Sequence, residues 1–297
     1  MDSPTTRQDG TMTTEVLRYA AFTTDQGGGN PAGVVLDADG LTDDEMLAIA
    51  REVGYSETAF LSEAATADDA TTAQVRYFSP VAEVAFCGHA TVATAVAFAE
   101  RHAPGRLALT TPAGLVTVDS RVEAGHVVAT LTSPPARTRP VDPSVLHEAL
   151  AALRWTVDDL DPDLPPHVAF AGVQHLVLGV RRRETLAALD YDYPALETLM
   201  AREQWTTAHL FWAQDSLTFH VRNPFPPGGV VEDPATGAAA AAFGGYLREL
   251  GLVPTPTRVT IHQGHDMGRP SELLVDLVAD SPGVSVTGRA AAIADPA

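Results

Sequence analysis

Three short stretches hold residues that can move protons. "GYSETAF" (54–60) contains Glu57, "FCGHAT" (86–91) contains Cys87, Gly88 and His89, and "VVEDPATG" (230–237) contains Glu232 and Asp233. Glu57 stands where a helical pattern ends and an apolar strand pattern begins. A carboxyl group at the edge of a core can shuttle protons near neutrality, whereas one in open solvent is an ordinary loop acid. Cys87 precedes a helical run, which suits a nucleophilic or proton-carrying thiol and equally a small buried side chain. A cofactor-free racemase of the two-thiol kind needs a second cysteine, and the chain has 1. Asp233 comes just before a run of alanines (238–242). It is placed either as a charge at a helix N-terminus or as a group that orients a ligand there.

Other chemistries fit less well. "GGGNPAG" (27–33) loosely matches a dinucleotide fingerprint, but such a loop must open a helix, and Pro31 leads instead into the extended run "GVVLD". No G-x-x-x-x-G-K-[ST] phosphate cradle occurs. The 10 histidines include no H-E-x-x-H; His262 and His265 are spaced H-x-x-H, a weak signal, and His89 with Asp233 is a conceivable pair. No metal site is expected from these patterns.

Strands and helices alternate around these residues. Strands are expected at "VLRYAAF", "PAGVVLD", "ETAFLS" and "AQVRYFS", with a helix at "LTDDEMLAIAREVG" (41–54). That helix has Thr42 as N-cap, Glu45 three residues on, and Gly54 as its stop. Residues 88–102 form a second helix, followed by strands near 107–111, 114–120 and 126–132. The second half predicts helices at 142–153, 193–203 and 236–250, and strands at 173–180, "AHLFWA", "SLTFHVRN", 257–262, 272–278 and 284–287. The proline-rich "SPPARTRPVDP" (133–143) is read as the linker between halves. Each half carries the same unit of strand, Pro-containing loop and small-residue helix, with Arg76 and Glu83 matched by Arg222 and Glu232. This is the pattern of an internal duplication. Neither small-residue helix has a polar face in its first turns, so each is expected to be a buried central rod wrapped by a sheet. Its N-terminal N–H groups can then hold a carboxylate without any Arg or Lys.

The bulk properties narrow the partners. The chain has 297 residues, is 45% hydrophobic and 19% charged, and carries a formal net charge of −19. This composition buries a core, and the charge disfavours nucleic acid and anionic membrane surfaces. A single cysteine allows no intrachain disulfide and fits a cytoplasmic setting. The first 14 residues read as a flexible tail, with neither a signal peptide nor an apolar span of membrane length.

Taken together, "GNPAGVVLDADGLTDDEMLAIAREVGYSETAF", "RYFSPVAEVAFCGHAT", "EDPATGAAA" and "QGHDMGRPSELLV" resemble the PhzF family of phenazine-biosynthesis-like proteins, related in fold to diaminopimelate epimerase. The resemblance runs from about Val16 to Ala292. It implies an α+β fold of two pseudo-symmetric domains, each a curled mixed sheet around a central helix, with the active site between them. The lobes are expected at 15–132, completed by 283–297, and at 133–282. It also implies no cofactor and a homodimer. By residue, Glu57 matches the family's general acid/base, His89 the cleft histidine and Asp233 the substrate-orienting aspartate. Gly88 supplies a backbone N–H, and Cys87, Gly237 and Ala238 join it as substrate-binding positions. The family's usual serine after "EDPATG" is Ala238 here, which removes a hydroxyl donor.

The expected function is that of a cofactor-independent isomerase of secondary metabolism, shifting a proton in a small unsaturated, carboxylated metabolite. One carboxyl group working on one face suits an allylic shift. The alternatives are an epimerase or racemase pairing Glu57 with Cys87 or His89, and a catalytically silent small-molecule binder.

Overall fold

The computed structural model describes residues 14–67 and 70–294. Of the expected tail, residues 1–13 therefore lie outside the described residues. The described residues divide into two compact units, 14–27, 31–67, 70–130 and 289–294 in the first and 28–30 with 131–288 in the second.

The first unit contains β1 (Leu17–Ala21), most of β2 (Asn30–Val35), α1 (Asp43–Val53), β3 (Glu57–Ala67), β4 (Ala70–Phe78), β5 (Glu83–Val84), α2 (Gly88–Arg101), β6 (Arg106–Thr111), β7 (Gly114–Glu123) and most of β8 (His126–Thr132). Within it, β2 runs parallel to β3, β3 pairs antiparallel with β4, β4 takes β5 antiparallel and β6 parallel, and β6 pairs antiparallel with β7.

The second unit contains β9 (Arg137–Pro140), α3 (Pro143–Leu153), β10 (His167–Phe170), β11 (Gln174–Gly179), α4 (Arg183–Ala187), α5 (Tyr193–Glu203), β12 (Trp205–Ala213), β13 (Thr218–Phe225), β14 (Val230–Asp233), α6 (Gly237–Glu249), β15 (Thr257–Gln263), β16 (Ser271–Leu277) and the first part of β17 (Ser285–Ala292). Here β11 runs parallel to β12, β12 pairs antiparallel with β13, β13 takes β14 antiparallel and β15 parallel, and β15 pairs antiparallel with β16. The order of parallel and antiparallel partners is the same in the two units, strand for strand. The fold is α+β, two pseudo-symmetric domains with a mixed sheet around a central helix in each.

Those central helices are α2 and α6. Every residue of α2 from His89 to Ala99 is buried, as is every residue of α6 from Ala239 to Leu247. A helix without a polar stripe has no face to give to water. Small side chains let the sheet close on it: a Cβ on Gly244 would lie 2.8 Å from methyls of Val275 and Val284, and one on Gly245 would lie 2.6 Å from the Ala136 Cβ. The opposite sheet face is covered by amphipathic helices. Met46 and Ala50 of α1 pack with Val35, Phe60 and Phe78, while α3 and α5 pack on Leu176, Leu178 and Leu210. In α1 the capping box forms as expected, Thr42 N–H donating to Glu45 Oε2 at 2.8 Å, and Gly54 closes the helix at φ 71°.

Some sequence expectations need correction. Residues 133–143 are not a free linker. Arg137–Pro140 is strand β9, pairing with β10, and Ala136 seals Gly245; prolines are tolerated at such a strand's ends, and they disguised it. Residues 283–288 belong with the second unit, where Ser285, Val286 and Thr287 pair with β16. Residues 28–30 also belong there, since the Arg269 guanidinium takes the carbonyls of Gly28 and Gly29. β5 and β14 form within the two expected Pro-containing loops, and β10 and α4 are short elements that the sequence patterns do not predict.

Candidate active site

In the first unit, Glu57 opens β3, three residues after the α1 stop. Ala32 on β2 and Phe78 on β4 fix this end of the strand through Ala32↔Glu57 and Thr58↔Phe78. The Glu57 side chain is 19% exposed, neither sealed in the core nor open to bulk water. Cys87 is the N-cap residue of α2, and His89 lies in its first turn; both are buried. The turn is pinned from below. Thr91 Oγ1 donates to the Cys87 carbonyl at 2.7 Å, and the buried Tyr77 hydroxyl meets Thr91 Oγ1 at 2.6 Å.

These residues form one contact triangle. Cys87 Sγ donates to Glu57 Oε2 at 3.5 Å, Cys87 Sγ lies 3.3 Å from His89 Nδ1, and His89 Nε2 lies 3.5 Å from Glu57 Oε2. Ser56 Oγ adds a contact to His89 Nε2 at 3.4 Å. Nothing in the sequence around Ser56 marks it for this contact. The carboxylate, thiol and imidazole atoms all lie within 4.8 Å of one another. That is a donor set a divalent ion can use. It is equally a proton-transfer cluster, which is what the present hydrogen-bond contacts describe.

In the second unit, Asp233 ends β14. Its Oδ1 accepts from Asn30 Nδ2 at 2.7 Å and its Oδ2 from Thr236 Oγ1 at 2.6 Å. The buried Gln263 amide completes the turn, donating to the Asp233 carbonyl at 2.7 Å and to Thr236 Oγ1 at 2.9 Å while accepting from Thr236 N–H at 3.1 Å. Asn30 Nδ2 also reaches the Ala235 carbonyl at 3.1 Å. Thr236, not Asp233, is the N-cap residue of α6, and it makes no side-chain cap bond. Gly264 sits at φ 75°, where a Cβ would fall 2.2 Å from the Arg269 carbonyl and 2.8 Å from that of Pro234. The "DPAT" turn thus needs glycine at 264. Asn30, Gln263 and Gly264 lie inside quoted motifs, yet nothing in their own patterning marks them as a cradle for Asp233.

Each unit also braces its loop with the matched Arg–Glu pair. Arg76 Nε and Nη2 donate to Glu83 at 2.7 and 2.8 Å. Arg222 Nε and Nη2 donate to Glu232 Oε2 at 3.1 and 2.5 Å. Above these loops, the first turns of α2 and α6 contain no acidic residue. Gly88, Gly237 and Ala238 are half-buried there. The first N–H groups of a helix have no intrahelical partner and sit at the positive end of its dipole. Either turn is therefore fitted to receive an anion. Ala238 contributes backbone only.

Residues 19–295 match the family described as PhzC-PhzF, phenazine biosynthesis-like protein. The "uncharacterized isomerase YfhB" of Bacillus subtilis is 31% identical over 274 residues, covering 89% of this chain and 90% of that protein. The trans-2,3-dihydro-3-hydroxyanthranilate isomerase of Pseudomonas chlororaphis is 33% identical, covering 82% of this chain and 83% of its own. Among solved structures, the Bacillus anthracis phenazine biosynthesis protein of the PhzF family superposes with a TM-score of 0.84 at 26% identity, covering 94% of this chain and 96% of that one.

Proposed function

The chain belongs to the PhzC-PhzF family of phenazine biosynthesis-like proteins and is an isomerase of that family; from this premise we propose that it shifts a proton within a small unsaturated carboxylated metabolite, with Glu57 as the acid/base and no cofactor. The observation that carries the reading is the Glu57–Cys87–His89 triangle on a half-shielded carboxylate. Glu57 takes a proton from the carbon next to the unsaturated system and returns it to the far end of that system. The contacts from Cys87 and His89 both converge on Oε2, so Oε1 is the oxygen assigned to the substrate. His89 and the N–H groups at the start of α2 stabilise the negative charge that develops between the two transfers. Asp233, with both oxygens held by Asn30 and Thr236, is assigned to orient a polar group of the substrate.

The spacing favours a shift over inversion at a stereocentre. Two groups that invert a carbon flank it from opposite faces, each about 3 Å away, so they stand roughly 6 Å apart. Cys87 and His89 each contact Glu57 at 3.5 Å. They suit relay or support on Glu57's own face. In the same reading the enzyme is a cytoplasmic homodimer acting on a small molecule, not on nucleic acid or membrane. No helix of the described residues is long and apolar enough to cross a membrane.

The test is Glu57→Gln, which keeps the side-chain shape and removes the base. Turnover of trans-2,3-dihydro-3-hydroxyanthranilate, or of whichever related diene acid proves the better substrate, should fall by at least about 10²-fold, with circular dichroism and Tm unchanged. A variant that retains turnover refutes the role.

A further inference from the structure

The proposed reaction makes no use of the imidazoles on the outer sheet face of the second unit. Alternation along β13 and β15 turns Phe219, Val221, Val259, Ile261 and Gln263 inward and leaves His220 and His262 half-buried on the other side. The parallel register sets His220 directly beside His262. The turn after β15, with Gly264 and Gly268 at φ 75° and 78°, brings His265 back to both. The ring centres are 5.2 Å apart for His220 and His262, 5.5 Å for His262 and His265, and 6.0 Å for His220 and His265.

That is close to the spacing of coordinated rings. Zinc bonds an imidazole nitrogen at about 2.0–2.1 Å, so it lies roughly 3.2 Å from each ring centre and holds two such rings about 5.2 Å apart at the tetrahedral angle. Asp266 adjoins His265, and its Oδ1 is paired with the Arg183 guanidinium at 2.8 Å. This pair cancels the charge an arginine would otherwise set against a cation. His220 Nε2 meets Gln214 Oε1 at 2.8 Å, while its Nδ1 is buried without a hydrogen-bond partner among the described residues. We propose that His220, His262 and His265 form a binding site for a divalent transition-metal ion, zinc by donor type. The two strands and the turn already supply the ring spacing. Arg183 Nη1 is also buried without a partner, which makes an anion the competing occupant.

Trp212, whose ring centre is 5.6 Å from that of His220, is a built-in reporter. Full-length, tag-free protein titrated with Ni²⁺ should show saturable fluorescence quenching at one ion per chain, and Zn²⁺ should raise Tm. Both responses should disappear in His262→Gln and in His265→Gln, the latter on an exposed turn where folding is not at stake. Cys87→Ser should retain both, and Trp212→Phe should lose the quenching while keeping the Zn²⁺-dependent rise in Tm. The proposal is overturned by the absence of saturable binding, by responses unchanged in the two histidine variants, by their loss in Cys87→Ser, or by stabilisation with inorganic phosphate and not with Zn²⁺.

Discussion

Glu57 is aimed by its neighbour. Thr58 points into the core against Gly33, where a Cβ would lie only 2.5 Å from Thr58 Oγ1, so β2 and β3 close tightly and alternation sends the Glu57 side chain to the opposite face. At the other cluster, Ala238 stands where the family resemblance implies a serine. Restoring that hydroxyl with Ala238→Ser adds one donor at the α6 N-terminus. One hydrogen bond is worth about 0.5–1.5 kcal/mol, so KM for a carboxylate substrate should fall by about 2- to 10-fold with little change in kcat. An unchanged or raised KM would remove the α6 turn from substrate binding. Gly264→Ala has the reverse sign. It forces a side chain into backbone carbonyls at positive φ, and should cost more than about 1 kcal/mol of stability along with activity. Denaturant unfolding and steady-state kinetics on the same preparation measure both. A variant of full stability and full activity would show that the Asp233 turn does not depend on that glycine.

At the scale of elements, the second unit buries a polar seam between its sheet and α6. His175 on β11 meets Thr207 Oγ1 at 2.8 Å, Thr207 donates to Asn223 Oδ1 at 3.1 Å, and His209 Nδ1 lies 3.2 Å from that same oxygen. Asn223 in turn pairs with Asp233 across β13 and β14. Burial pushes His175 and His209 down to about 3; the charge of His209 adds to the effect on His175, and the hydrogen bond to Asn223 opposes it on His209. In the unfolded chain both titrate near the usual 6.5, so below that pH the unfolded state binds more protons. Stability is fully present above about pH 6.5 and is lost as pH falls from there towards about 3, by up to roughly 1.4 kcal/mol per pH unit for each imidazole. A urea-unfolding series from pH 7.5 to 4.5 should show this slope, and His175→Gln should flatten it. Equal slopes in the two proteins would show that His175 is not buried neutral. The elements themselves were legible where local rules are strong: the capped α1, and α2 and α6 with their lack of a polar face. They were not legible where pairing alone defines them. β14 has four residues and β9 ends in proline, so both exist because a neighbouring strand takes their hydrogen bonds.

At the scale of the molecule, the duplication could be read from two strand–loop–helix units sharing an Arg and a Glu. It reappears as matching strand partners and as matched Arg76–Glu83 and Arg222–Glu232 pairs. Side-chain chemistry together with family resemblance singled out Glu57, His89 and Asp233. The supporting residues Ser56, Asn30 and Gln263 could not be found this way, because their role comes from chain segments brought together over separations as large as 203 positions. The same holds for His220, which no spacing rule joins to His262 and His265.

The most direct test of the whole account is proton NMR of a single turnover in D₂O with a diene carboxylic acid substrate. The expected result is product formed by the wild type, any deuterium confined to the carbon that receives the proton, no racemisation of recovered substrate, and neither product nor exchange with Glu57→Gln. Deuterium entering the original carbon with loss of chirality, or exchange that proceeds as fast in Glu57→Gln, would contradict it.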